Sequence, residues 1–306
     1  MKKKSFVIVR IFGGLGNQLW QYAFARNLSI QLNKPLILDI SFYKHPLIDL
    51  PEGFKAKFEL NKFNLPSDIY IEDNIYNHSY RFYKYFLRFL NNYFKKFFFN
   101  NQNFLINNFI FENYLYKNKK INIQNLKKGS SYFIGYWQSK EYFSKNVKKI
   151  QNDLKLKKIS TSVKNYCNRI KNNYVAIHLR GGDISIEKNY KNTDEIFYHK
   201  IFKILANKKI NFKFHIFTDD VNFAKKFIKK LKIKKYKIIS DPKKFTNLEE
   251  FYLMQHYKYL IISRSTFSWW TSFLLNNKKK IIFAPKIWYR DNLMPKGLKL
   301  ENMILI

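Results

Sequence analysis

Residues 6–24 read FVIVRIFGGLGNQLWQYAF. Phe6 to Phe12 is a short apolar run of strand type, interrupted by Arg10. Gly13, Gly14 and Gly16 then turn the chain. Asn17 to Leu32 reads as a helix, with Trp20, Ala23, Phe24 and Leu28 on one face. Pro35 closes the linker and Leu36 to Leu38 forms a second short strand. Strand, glycine loop, helix and strand in this order open a nucleotide-binding α/β domain. Glycines let a ligand approach the backbone closely, and a helix start favours an anion, so Gly14, Leu15 and Gly16 are candidate ligand contacts. The spacing is not G-x-G-x-x-G, which argues against an ordinary dinucleotide site.

The second half repeats the alternation. Apolar strands are expected at 174–179, 214–218, 236–239, 259–262 and 280–283, with helices at about 195–207, 221–231, 247–258 and 266–276. Strands alternating with helices imply a parallel sheet covered on both faces. Asn247 followed by Glu250 marks one helix start. A strand at 132–136 and a Lys-rich helix at 141–154 close the first half. The length of 306 residues suits two domains, expected here as 1–150 and 151–306.

Ligands in such sheets bind at the carboxyl ends of the strands. After the 174–179 strand comes His178-Leu-Arg180-Gly-Gly-Asp183, where a forked guanidinium can hold a diphosphate. The alternatives are an Arg180–Asp183 ion pair and a satisfied core His178. After 214–218 comes Thr218-Asp219-Asp220, whose carboxylates can accept from a ribose or a base, or can cap the next helix. After 259–262, Ser263-Arg-Ser265-Thr266-Phe267-Ser-Trp-Trp270 opens a helix with hydroxyls and free N–H groups, either a phosphate cradle or an ordinary cap. Together these ends suggest a nucleotide diphosphate. A Walker lysine motif, a nucleophile elbow and H-E-x-x-H are absent, which disfavours ATPases and hydrolases. D-x-D spacing is absent as well, so no metal site is expected.

The charge sum, 57 Lys and Arg against 21 Asp and Glu, is +36. Such a surface invites nucleic acid, an anionic membrane or a phosphorylated ligand. Compositional drift toward Lys gives the same sum, and the scarcity of Arg favours drift. With 19% aromatic and 46% hydrophobic residues, whole-chain disorder is excluded. The one cysteine, Cys167, allows no internal disulfide and fits a reducing compartment. No stretch reaches 18 uncharged apolar residues, so a cytoplasmic protein is expected. Arg81 to Phe99 reads as a basic amphipathic helix, with Lys84, Arg88 and Lys95 opposite Phe82, Phe86 and Phe89. Its aromatic face can pack on the domain or lie in an anionic membrane surface.

The blocks Gly13–Ala23, Gly135-Tyr-Trp-Gln-Ser139, His178-x-Arg180 with Asp183, Phe217–Asp220, Glu250-x-Tyr252-x-Met254 and Ser265–Trp270 resemble, in order and spacing, those of the bacterial α-1,2-fucosyltransferases, glycosyltransferase family 11. The likeness is weakest over 40–130. It implies two Rossmann-like lobes in a GT-B-like fold and GDP-fucose as donor. It also implies inversion at the sugar C1, no required metal or cofactor, and a glycan acceptor, lipid-linked in some pathways. Nucleic acid is not an expected partner. Carried onto this sequence, it makes Arg180, Asn17 and Asp183 the catalytic candidates. Gly14, Leu15, Gly16, His178, Asp219, Ser265, Thr266 and Phe267 become the GDP-sugar contacts. Two departures stand out. Gly181 occupies the place of a usual second arginine, and Thr271 that of a usual glycine.

Overall fold

A computed structural model describes residues 4–44, 56–73, 75, 100–101, 104–112, 123–181, 195–274, 279–289 and 292–306. The basic helix expected over 81–99, and Asp183, lie outside the described residues. The chain forms two compact units, Met1–Lys157 and Lys158–Ile306.

Unit 1 contains strands β1 (Val7–Arg10), β2 (Leu36–Asp39), β3 (Ile69–Glu72), β4 (Asn100–Asn101), β5 (Phe104–Phe111) and β6 (Ser130–Ile134). They form one sheet in the order β3-β2-β1-β6-β5-β4. Every pairing is parallel except β4 with β5. All four residues of β1 and of β2 are buried, as expected of parallel strands covered on both faces. Helix α1 (Leu15–Leu32) is buried almost all round from Leu15 to Ser29, not along one stripe. Phe24 stacks on Trp137 with ring centroids 4.0 Å apart, and Trp20 packs on Phe143. On another side of α1, Tyr22 Oη and Arg26 Nε both donate to Asp153 Oδ2, at 2.8 and 3.1 Å. This contact belongs to the region read as one helix over 141–154. In the structure that region is a 3-10 segment, Lys140–Asn146, followed by the α-helix Val147–Asp153. The break falls at Phe143 (φ −130°), whose fully buried ring is drawn to Trp20.

Unit 2 contains β7 (Tyr174–Leu179), β8 (Lys213–Thr218), β9 (Tyr236–Ile238), β10 (Tyr259–Ile261), β11 (Ile281–Ala284) and β14 (Met303–Leu305), with a separate antiparallel pair, β12 (Ile287–Tyr289) and β13 (Asn292–Leu293). The main sheet runs β14-β11-β10-β7-β8-β9 and is parallel throughout. Chain order thus proceeds outward from β7 to β9, then returns to β10 and proceeds outward the other way. This is the doubly wound order of a dinucleotide-binding fold. The helices Glu195–Ala206, Val221–Lys230, Asn247–Met254 and Thr266–Leu274 lie in the connections. Val175, Ile177, Ile216, Ile228, Tyr259, Ile261 and Phe283 make one continuous core. One helix begins at Asn247 as expected and ends at Met254, short of the expected 258. Thr246 is its N-cap and forms a reciprocal capping box with Glu249. Among the described residues no helix is long and apolar enough to cross a membrane.

Candidate functional site

In a doubly wound sheet the crevice opens where strand order reverses. In unit 2 that point lies between the carboxyl ends of β7 and β10, and a hydrogen bond joins them there. His178 Nδ1 lies 2.7 Å from Ser263 Oγ, and both residues are buried. Burial and the neighbouring Arg180 push the imidazole down to about 4, against the pull of Asp219. At pH 7 His178 is therefore neutral, with one N–H donor and one acceptor nitrogen. Its ring stacks on Phe267 (5.6 Å, 24°), which in turn meets Phe251.

Arg180 follows directly on β7. Its Nε pairs with Asp219 Oδ2 at 3.1 Å, and the Gly181 N–H donates to Asp219 Oδ1 at 2.8 Å. Asp219 thus grips the segment after β7 with both oxygens. Arg180 and Asp219 are each 29% exposed, so the guanidinium can still reach a ligand. Asp220 is the N-cap of the helix Val221–Lys230, its carboxylate accepting from Phe223 N at 2.9 Å. The two carboxylates, read together in the sequence, divide into a clamp and a cap. A Cβ on Gly181 would lie 2.6 Å from Phe223 Cγ, so the ring of Phe223 occupies the space any side chain at 181 would need.

Ser265, Thr266 and Phe267 begin the helix Thr266–Leu274 beside β10. The Ser265 N–H donates to Ser263 O at 2.8 Å, and Ser265 O accepts from Trp269 N. Ser268 Oγ donates back to Ser265 O at 3.2 Å. These turns present the first-turn N–H groups at the same crevice as His178. Unit 2 therefore gathers His178, Arg180, Asp219, Ser265, Thr266 and Phe267. Ser263 joins them, while Glu250 is tied to the end of β8. Burial pushes Glu250 up to about 7, while a bond from Ser240 Oγ (2.6 Å) opposes the shift. The same Ser240 Oγ accepts from Thr218 N, linking the end of β8 through Ser240 to Glu250. Glu250 stands in a quoted motif, yet its spacing alone gave it no chemical role.

Unit 1 has no such reversal, since β1-β2-β3 and β4-β5-β6 step across the sheet in the same direction, but β1 and β6 are neighbours and the residues that follow them meet. Gly13 takes φ 78°, and a Cβ there would lie 2.9 Å from Asn17 Nδ2. A Cβ on Gly14 would meet nothing within 4 Å, so the backbone at the start of α1 is open to an approaching group. Gly14, the N-cap of α1, provides no side-chain cap for Leu15 and Gly16, and α1 carries no acid in its first turn. Asn17 Oδ1 accepts from Gln138 Nε2 at 3.2 Å, which bridges the two strand ends. Phe12 packs on Tyr136 with ring centroids 4.9 Å apart. Gln18 Nε2 donates to Gly13 O and Lys57 O, and its Oε1 accepts from Glu59 N. Asn17, Gly14, Leu15 and Gly16 thus form a second cluster, within unit 1. Glu112, just past β5, accepts from the N–H groups of Tyr136 and Trp137. It lies in the stretch where no motif could be read. Among the described residues no group of three or more His, Cys, Asp or Glu could hold a metal ion.

Comparison with known proteins adds the following. The sequence model of glycosyl transferase family 11 matches residues 6–305. An Escherichia coli alpha-1,2-colitosyltransferase is 31% identical over 298 residues, covering 93% of each chain. The Escherichia coli O-antigen biosynthesis glycosyltransferase WbnK is 26% identical over 300 residues, covering 92% of this chain and 94% of that protein. The crystal structure of POFUT1 in complex with GDP superposes with a TM-score of 0.51 at 10% identity, covering 93% of this chain and 99% of that one. The fold is the GT-B-like α/β class expected from the sequence.

Proposed function

The chain belongs to glycosyl transferase family 11, and we propose that it moves fucose from GDP-fucose, with inversion and without a metal, to a glycan hydroxyl, galactose O2 in α-1,2 linkage. The product would serve surface polysaccharide or lipid-linked oligosaccharide synthesis, as the name of the WbnK relative suggests. The observation that carries the reading is the unit 2 crevice. There a neutral His178 tied to Ser263, a clamped Arg180 and the start of the helix Thr266–Leu274 converge on one strand-order reversal.

In this reading Arg180 and the N–H and hydroxyl groups of Ser265, Thr266 and Phe267 receive the diphosphate. As C1 leaves the phosphate oxygen, negative charge builds on GDP. Preorganised donors of this kind are typically worth about 3 kcal/mol each. A neutral His178 can donate without adding repulsion toward Arg180. Asp219 keeps the guanidinium in place. Gly14, Leu15, Gly16 and Asn17 serve the crevice of unit 1, where Asn17 orients the acceptor hydroxyl or the departing β-phosphate. Asp183 is the candidate proton acceptor by resemblance, and an ion pair with Arg180 would weaken it as a base. The +36 charge suits peripheral contact with an anionic membrane, where a lipid-linked acceptor would sit.

A second sugar has support of its own. The relative at 31% identity is named for colitose, a fucose lacking one hydroxyl. Incubation with GDP-fucose, GDP-colitose, GDP-mannose or UDP-galactose, with a galactose-terminated oligosaccharide and EDTA, distinguishes the donors by product mass. A fucosylated product is expected. A product from GDP-colitose alone would change the sugar and keep the chemistry. Absence of product from every nucleotide sugar would reject the reading.

A further inference from the structure

The loop after β6 has an unusual device at its start. Trp137 lies in left-handed backbone, φ 55°, a conformation that non-glycine residues adopt at a cost. Its N–H and that of Tyr136 point the same way, and both donate to one oxygen of Glu112, Oε2, at 2.9 and 2.6 Å. Two successive N–H groups converging in this way form a nest, a concavity that binds anions. Here the anion is part of the chain. To reach the nest the Glu112 side chain crosses over Gly135. A Cβ on Gly135 would lie 2.9 Å from Glu112 Oε2 and 3.1 Å from Trp137 Cε2. That crossing gives the glycine of the Gly135-Tyr-Trp-Gln block a physical reason. Glu112 N in turn donates to Ile134 O, which fixes the residue at the end of β6.

The nest lies in the loop that completes the unit 1 crevice. Tyr136 packs on Phe12 at the end of β1, Trp137 stacks on Phe24 of α1, and Gln138 donates to Asn17. A shift of residues 136 and 137 would be passed to Gln138, which follows them directly and donates to Asn17. The second Glu112 oxygen, Oε1, has no protein partner among the described residues. Burial raises the Glu112 carboxyl, and the two N–H bonds oppose that rise.

We propose that Glu112 is the positioning residue of the unit 1 crevice: its carboxylate fills the Tyr136–Trp137 nest as an internal anion and, through Gln138, sets the side chain of Asn17. The proposal rests on the glycosyl-transfer reading for its kinetic part and on geometry alone for the nest.

The test combines Glu112→Ala, Glu112→Gln and sodium formate, with sodium chloride as the ionic-strength control. Glu112→Ala should lower kcat about 10- to 100-fold, the scale of a misplaced orienting group, while GDP affinity stays unchanged. Formate should refill the vacated nest, raising both kcat and melting temperature of Glu112→Ala saturably and leaving the wild type unaffected. Glu112→Gln keeps an acceptor oxygen and should fold like wild type with a smaller loss. Wild-type kcat in Glu112→Ala, or a loss that formate does not restore beyond the chloride control, would overturn the proposal. If the wild type transfers no sugar at all, the parent reading fails by itself. The formate-dependent melting temperature of Glu112→Ala then decides the nest, and no formate effect on it rejects the nest.

Discussion

Gly181 shows how far a single residue shapes the donor crevice. Phe223 fills the volume beside it, so even a methyl group must displace the ring. Gly181→Ala should cost about 1–3 kcal/mol in urea unfolding, the usual scale of overpacking. The cost should shrink in a Phe223→Ala background, because the two residues touch. Equal costs in both backgrounds would show that the contact is not the cause. Glu250 supplies a pH signature. Its carboxyl is raised from 4.5 to about 7, mainly by burial. The folded state therefore holds this proton at a higher pH than the unfolded chain does. The resulting stability is full below about pH 4.5 and is lost as pH rises through 7. Glu250→Gln, which has no charge to bury, should gain about 2 kcal/mol relative to wild type on going from pH 5 to pH 8. A pH-independent difference between the two proteins would contradict the assignment.

Among the elements, the helix Asn247–Met254 is set by its first turn. Thr246 and Glu249 cap each other, and Glu249 also accepts from Ser160 Oγ at 2.7 Å. Thr246→Ala should cost about 1 kcal/mol in thermal or urea unfolding. The strand ends were legible in the sequence for a physical reason. Runs buried on both faces are continuous and apolar, and the residues after them change abruptly to glycine, Arg, Asp and Ser. The partners were not legible. That Asp219 clamps Arg180 while Asp220 caps a helix depends on backbone direction, which no spacing reveals. His178 and Ser263 are 85 positions apart and meet only because β7 and β10 are neighbours. β3 and β5 were missed because they lie in the Asn- and Lys-rich region, where alternation is weak. Glu112 was hidden there too, because its partners at 136 and 137 lie more than twenty positions away.

The whole molecule is two α/β units, each with one cluster of motif residues past neighbouring strands, β1 and β6 in unit 1 and β7 and β10 in unit 2, where the strand order reverses. In the proposed function the nucleotide belongs to unit 2 and the acceptor side to unit 1. Substitutions should therefore separate by unit. Gln138→Ala should leave GDP affinity intact and lower transfer, read as a fall in kcat at constant donor affinity. A parallel loss of GDP binding in Gln138→Ala would show that the two crevices do not divide the work. The central claim, that Arg180 and its neighbours hold the nucleotide sugar without a metal, is tested most directly by calorimetric titration with GDP-fucose in EDTA, for the wild type and Arg180→Ala. The wild type should bind saturably and Arg180→Ala at least tenfold more weakly, on the scale of one charge-assisted contact. Equal binding by the two proteins, or binding that appears only when a divalent cation is restored, would contradict it.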